Sequence, residues 1–154
     1  MRKVRIHTDV IFKQGWAIIG GKRYYFRAGF EVEWAQYLQF LKEIGEIEDW
    51  EYEPEPFWFE GIKRGTNNYR PDFKVSYKDG DYCWHETKGN LKQKDITKFR
   101  RMAKYHPDEK IILVMQKKQT KQVKQIMLIS KALEYVHGLI FADKLDYFQS
   151  GKKR

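Results

Sequence analysis

The sequence predicts an α/β fold: a mixed central sheet flanked by helices, with an extra β-rich segment at the N-terminus. Three observations lead there. Residues 69–90 (YRPDFKVSYKDGDYCWHETKGN) read as a hairpin, with strands over Asp72–Tyr77 and Tyr82–Lys88 around the Asp79-Gly80 turn signal. Residues 110–116 (KIILVMQ) form an unbroken apolar run, which needs burial on both faces and so a central position. A helical pattern lies between those two stretches. The path from 82 to 116 is therefore strand, helix, strand, which predicts a right-handed parallel crossover beside the antiparallel hairpin.

The remaining elements follow in order. Residues 4–13 (VRIHTDVIFK) are β-rich, Gly15 interrupts, and Trp16–Ile19 and Lys22–Phe26 flank a Gly20-Gly21 turn, giving two or three short antiparallel strands. Residues 31–44 form a helix on the spacing of Trp34, Leu38 and Leu41, widened by Tyr37 and Ile44, and Gly45 stops it. Residues 47–53 and 57–63 read as strands around a Pro54–Pro56 corner, and 64–68 as a loop. Asp95 is the expected N-cap of a helix over 96–105, which buries Ile96, Phe99, Met102 or Ala103 and part of Tyr105 before His106-Pro107. A second long helix is expected over 122–136 with Ile126, Ile129 or Met127, Leu133 and Val136 inward, then a short strand over 139–141.

Composition narrows the chemistry. The chain has 154 residues, enough for one domain with a real core. Lys and Arg number 30 against 21 Asp and Glu, a net charge of +9 that favours a polyanionic partner. The charge is segregated: residues 31–60 hold ten acids and one base, whereas residues 88–104 hold seven bases and one acid. The first stretch repels DNA. The second offers Lys92, Lys94, Lys98, Arg101 and Lys104 to a phosphate backbone, with Lys117 and Lys118 beyond it. The alternative is a solvated face. Arg2, Lys3, Arg5, Lys13, Lys22 and Arg23 are open to the same two readings, and His7 is expected to be merely exposed. The single cysteine, Cys83, excludes an internal disulfide and suits a small core residue better than a catalytic thiol. No apolar run approaches the length of a membrane span and the first residues lack a signal-peptide core, so a soluble, cytoplasmic protein is expected.

The hairpin carries the chemistry. Glu86 and Lys88 share one strand face, and Asp72 opens the neighbouring strand. Two carboxylates and a lysine then meet at one hairpin end. Carboxylate oxygens are hard donors suited to Mg²⁺ or Mn²⁺, and a lysine beside the cation orients water or stabilises phosphate charge. Glu31 begins its helix in line with the buried Trp34 and Leu38. Either it complements the helix dipole or it points at a metal beside Asp72.

Pro71-Asp72 followed after fourteen residues by Glu86-x-Lys88 resembles the PD-(D/E)XK nuclease superfamily, and hence a restriction-endonuclease-like fold. A wider set of pieces resembles the phage endonuclease I family, the junction-resolving nucleases of T-odd coliphages. These are Arg27-x-Gly29-x-Glu31, Trp50-Glu51-Tyr52-Glu53, Tyr69-x-Pro71-Asp72-Phe73, Glu86-Thr87-Lys88-Gly89, His106-Pro107, and His137-Gly138 with Phe141-Ala142-Asp143-Lys144-Leu145. They span residues 27–145 in order. Ala28 stands where the family has serine, and residues up to Phe26 and between Glu53 and Tyr69 find no clear counterpart.

The resemblance implies a metal-dependent endodeoxyribonuclease for four-way (Holliday) junctions and other branched DNA. Asp72 and Glu86 would hold the metal with the Thr87 carbonyl, Glu31 would serve a second metal or a bound water, and Lys88 would be the catalytic lysine. Arg27 joins the DNA-contact candidates. The implied partner is a second copy, in a homodimer whose first helices are exchanged across a segment near 57–64. The expected organisation is a β-rich extension over 1–26, a nuclease domain over 27–148 and a basic tail over 149–154. Two rivals remain: a nuclease for ordinary duplex, nicked DNA or ends, and a non-catalytic DNA-binding module.

Overall fold

The computed structural model describes residues 14–118 and 121–149. The expected strand over 4–13, with Arg2, Lys3, Arg5, His7 and Lys13, lies outside the described residues, as does the tail from 150. The elements are β1 (Gly15–Ile19), β2 (Lys22–Phe26), α1 (Gly29–Glu43), β3 (Asp49–Tyr52), β4 (Phe57–Trp58), β5 (Asn68–Tyr69), β6 (Phe73–Ser76), β7 (Tyr82–Lys88), α2 (Gln93–Tyr105), β8 (Ile111–Met115), α3 (Val123–Ala132), β9 (Gly138–Phe141) and α4 (Asp146–Gln149). The central sheet runs β3-β6-β7-β8-β9. Its β3, β6 and β7 pair antiparallel, and β7, β8 and β9 pair parallel. The expected mixed α/β sheet is therefore present, with the apolar run Ile111–Met115 between two strands.

Strand alternation splits the apolar residues into two cores, one on each side of the sheet. Phe73, Val75, Cys83 and Val114 face α1, where Trp34, Ala35 and Leu38 meet them. Trp84, Ile111, Leu113 and Met115 face α2 and α3, through Ile96, Phe99, Met102, Leu128 and Ala132. The β1–β2 hairpin turns at Gly20 and Gly21, both at positive φ, and adds Ile19 and Phe26 to the first core. The strand β7 consequently shows one layer Cys83 and the other Trp84, and its last residues carry polar groups to both.

Four expectations need correction. The strand expected over 57–63 is only Phe57–Trp58; Gly61 sits at positive φ and the chain turns away. Asp95 does not cap α2 but lies in its first turn. Its carboxylate reaches back to the Lys92 N–H at 2.8 Å, so the helix starts two residues before it. The helix expected over 122–136 ends at Ala132. Its buried face is Gln125, Leu128, Ile129 and Ala132, whereas Ile126, Met127 and Leu133 are exposed. Gln125 sets this rotation. Its amide bonds both the N–H and the C=O of Leu91, at 2.8 and 2.9 Å, and so turns the helix by about one residue from its apolar pattern. No helix among the described residues is long and apolar enough to cross a membrane.

Candidate functional site

Polar side chains gather where β3, β6, β7 and the start of α1 meet. Phe73 pairs with His85, so the next step of the register sets Asp72 opposite Glu86. Just past that paired stretch, the Thr87 N–H donates to Asp72 Oδ2 at 2.8 Å and the Thr87 hydroxyl to the same atom at 2.7 Å. One carboxylate oxygen thus ties the end of β7 to the residue that introduces β6.

Glu31 closes the start of its helix and also lies beside Asp72. Its Oε2 accepts from the backbone N–H of Arg27 and Ala28 at 2.9 and 3.2 Å, closing the first turn of α1. The Tyr52 hydroxyl donates to the same oxygen at 3.0 Å. At the same time Glu31, Glu53 and Asp72 each bring a carboxylate oxygen within 4.8 Å of the others. These three residues can hold a metal ion. Glu31 and Asp72 meet within one chain here, because α1 packs on its own sheet.

Glu53 is the residue that sequence reasoning missed. It follows β3 at φ 44, a left-handed conformation uncommon outside glycine, and its N–H donates to the Asp72 carbonyl at 2.7 Å. The turn swings its side chain into the cluster, where Arg27 approaches it at 3.5 Å. The signal was present: Glu53 closes one of the quoted family pieces and stands just before Pro54.

Glu86 is fully enclosed and lies against the Asp72 carboxyl and the Tyr69 hydroxyl rather than inside the three-carboxylate cluster. The Tyr69 hydroxyl is sealed from water and makes no hydrogen bond of normal geometry. Burial pushes the Asp72 carboxyl well above its usual range, with the neighbouring Glu86 charge adding to it, while the two Thr87 bonds pull the other way. Burial also raises Glu86, against the pull of the Asp72 bond and the Lys88 charge. Two buried carboxyls side by side oppose each other's ionisation. Burial and the Asp72 charge lift Glu31, and burial lifts Glu53. Crowded carboxylates held above their ordinary range are what a divalent cation relieves, and an all-oxygen set fits Mg²⁺ or Mn²⁺.

Lys88 stands on the same face of β7 as Glu86, and its Nζ pairs with Asp95 Oδ1 of α2 at 3.3 Å. Burial pulls its ammonium down, but Glu86, Asp95 and Asp72 outweigh burial and leave it above its usual value. It is therefore charged at neutral pH. One Asp95 oxygen thus holds Lys88 while the other closes the first turn of α2 on the Lys92 N–H.

The basic candidates divide. Lys98 lies over the Tyr69 ring at 5.9 Å and close enough to Glu86 to lower its proton affinity, so it borders the cluster. Arg101 donates to the Thr66 carbonyl, and Lys104 lies over the Tyr105 ring. Lys92, Lys94, Lys117 and Lys118 are exposed, the last two just past β8. Arg27 is exposed at the acidic cluster itself, paired with Glu53. Comparison with family models, with curated proteins and with solved structures finds no match to this chain.

Proposed function

We propose that the chain is a metal-dependent endodeoxyribonuclease that resolves four-way junctions and related branched DNA. The observation that carries this is the convergence of Asp72, Glu86 and Lys88 at the ends of adjoining strands, beside the carboxylates of Glu31 and Glu53. The cation, Mg²⁺ with Mn²⁺ as substitute, would be held by Glu31, Glu53 and Asp72, with Glu86 beside Asp72. When bound it supplies Lewis acidity toward a phosphodiester. Lys88, fixed between Glu86 and Asp95, offers its ammonium to charge developing on the phosphate oxygens. Lys98 and the exposed bases of α2 bind the flanking backbone by charge, which reads shape rather than sequence. The ordered motif pieces over 27–145 support junction selectivity, and a symmetric homodimer would place two such sites for paired cuts.

The test is cleavage of a labelled four-way junction beside a matched linear duplex, in Mg²⁺ and in EDTA, for the wild type and Glu86→Gln. Selective, metal-dependent cutting that the variant loses while still binding DNA supports the proposal. Equal cutting of both DNAs removes the junction claim and leaves a general nuclease. Binding without cutting in Mg²⁺ and Mn²⁺ removes the catalytic claim.

A further inference from the structure

The β1–β2 hairpin has two unlike faces. Its register pairs Trp16 with Tyr25 and Ile18 with Arg23, which sets these four side chains on one face. The opposite face holds Ala17, Ile19, Tyr24 and Phe26, which pack on α1, Trp50 and Tyr52. The inner face thus packs the hairpin onto the first core, and the outer face carries exposed side chains. Trp16 is 58% exposed, Ile18 73% and Tyr25 43%.

Exposed aromatics at this density are costly to keep without a purpose, and these are arranged. The Trp16 and Tyr25 rings meet edge to face at 5.3 Å, and the Arg23 guanidinium lies 4.2 Å from the Trp16 ring centre. The ring is therefore braced on one side by a cation and on another by a second ring. Residues 14–30 carry Lys22, Arg23 and Arg27 and no acid, against the ten acids of residues 31–60. An acidic or neutral protein surface would match the charge, but the cation–aromatic pairing matches a nucleobase and its phosphate together.

Tyr25 is two residues from Arg27, whose guanidinium pairs with Glu53 in the acidic cluster and whose N–H bonds Glu31. Two residues of backbone, about 7 Å at most, therefore separate Tyr25 at the edge of the aromatic face from Arg27 at the rim of the cluster. We propose that the outer face of the β1–β2 hairpin is a stacking platform for unpaired nucleobases, with Trp16 and Tyr25 as the stacking rings and Arg23 as the phosphate contact. In the proposed nuclease this selects substrates whose bases are already unstacked next to the cut, as at a branch point or a single-stranded flank. It rests on that reading only for the word substrate; the binding itself does not.

The experiment measures binding in EDTA, so that no cleavage is needed. The probes are a fluorescein-labelled oligothymidylate of about 15 nucleotides and a linear duplex of equal length. The variants are Trp16→Ala, Tyr25→Ala and Trp16→Phe, each checked for an unchanged melting transition. The expected result is a loss of oligothymidylate affinity on the order of tenfold for each alanine variant, with duplex affinity within about twofold and Trp16→Phe near wild type. Unchanged oligothymidylate binding in both alanine variants overturns the proposal. Equal loss on both DNAs also overturns it, because the hairpin is then a general backbone contact. A wild-type dimer that Trp16→Ala converts to monomer overturns it as well, because the face is then an interface between copies. A junction-cleavage assay in Mg²⁺ on the same proteins separates the two ideas. Base stacking without any cutting sinks the nuclease reading alone, and cutting with unaltered binding in the variants sinks the platform alone.

Discussion

Trp34 of α1 donates its indole N–H to Nδ1 of His85 on β7, at 3.0 Å, across the interface of helix and sheet. The bond requires an unprotonated Nδ1, and burial holds His85 down to about 4. His85 lies on the opposite face of β7 from Glu86 and Lys88, so it locks the strand from behind. In the unfolded chain the imidazole takes its proton near its ordinary value of 6.5. The unfolded state therefore binds more protons between about pH 6.5 and about 4, and stability falls as pH drops through that window. The full effect is about 3 kcal/mol. Urea unfolding from pH 7 to pH 4 should show the wild type losing that much relative to His85→Gln. A parallel pH dependence in the two proteins would contradict the assignment.

The acidic cluster predicts the opposite sign. Burial first, and neighbouring carboxylate charge after it, raise Glu31, Glu53 and Asp72, so their ionised forms weaken the fold at neutral pH without a cation. Mg²⁺ or Mn²⁺ should raise the melting temperature, by the equivalent of about 2.7 kcal/mol at a hundredfold excess over Kd. Glu53→Gln should melt higher than the wild type in EDTA by the equivalent of about 1 kcal/mol and lose most of the cation-dependent rise. A variant that still gains the full increment would show that the cation binds elsewhere.

What the sequence could show follows from which forces act locally. The Asp79-Gly80 turn, the run Ile111–Met115 and the spacing of Trp34 and Leu38 are local, periodic signals, and all three elements stand where those signals set them. The meeting of Asp72 and Glu86 at one hairpin end follows from strand alternation and the turn position, and the register sets them opposite each other. Glu53 was missed because its place depends on one left-handed residue, which no periodicity reveals. The rotation of α3 was missed because a single buried amide, Gln125, takes the inward place over Ile126, Met127 and Leu133. The aromatic hairpin face was hidden for the same kind of reason: only the register separates the exposed Trp16 and Tyr25 from the half-buried Tyr24 and the buried Phe26.

The Lys88–Asp95 pair separates positioning from charge. Asp95→Asn keeps an acceptor for the Lys92 N–H but removes the anion that holds Lys88 Nζ. The variant should fold with a loss below about 1 kcal/mol. It should cut junction DNA on the order of tenfold more slowly, with the loss in kcat rather than in KM. Lys88→Ala should leave only a slow residual rate of cutting, and adding Asp95→Asn to it should not lower that rate further. An additive effect in the double variant would show that Asp95 acts independently of the lysine.

Gln125 offers the sharpest test of the fold itself. Its amide satisfies both backbone groups of Leu91, inside the core between α2 and α3. Gln125→Leu restores the apolar pattern that the sequence of α3 suggests, yet it strips partners from a buried N–H and a buried C=O. Each orphaned group costs about 1–3 kcal/mol, more than the transfer of one leucine side chain returns when its neighbours must shift. The variant should be destabilised by about 2–4 kcal/mol in urea, with an unchanged denaturant slope. A neutral or stabilising result would mean that α3 rotates toward Ile126 and Leu133 once the amide is gone, and those two side chains would then become protected from solvent.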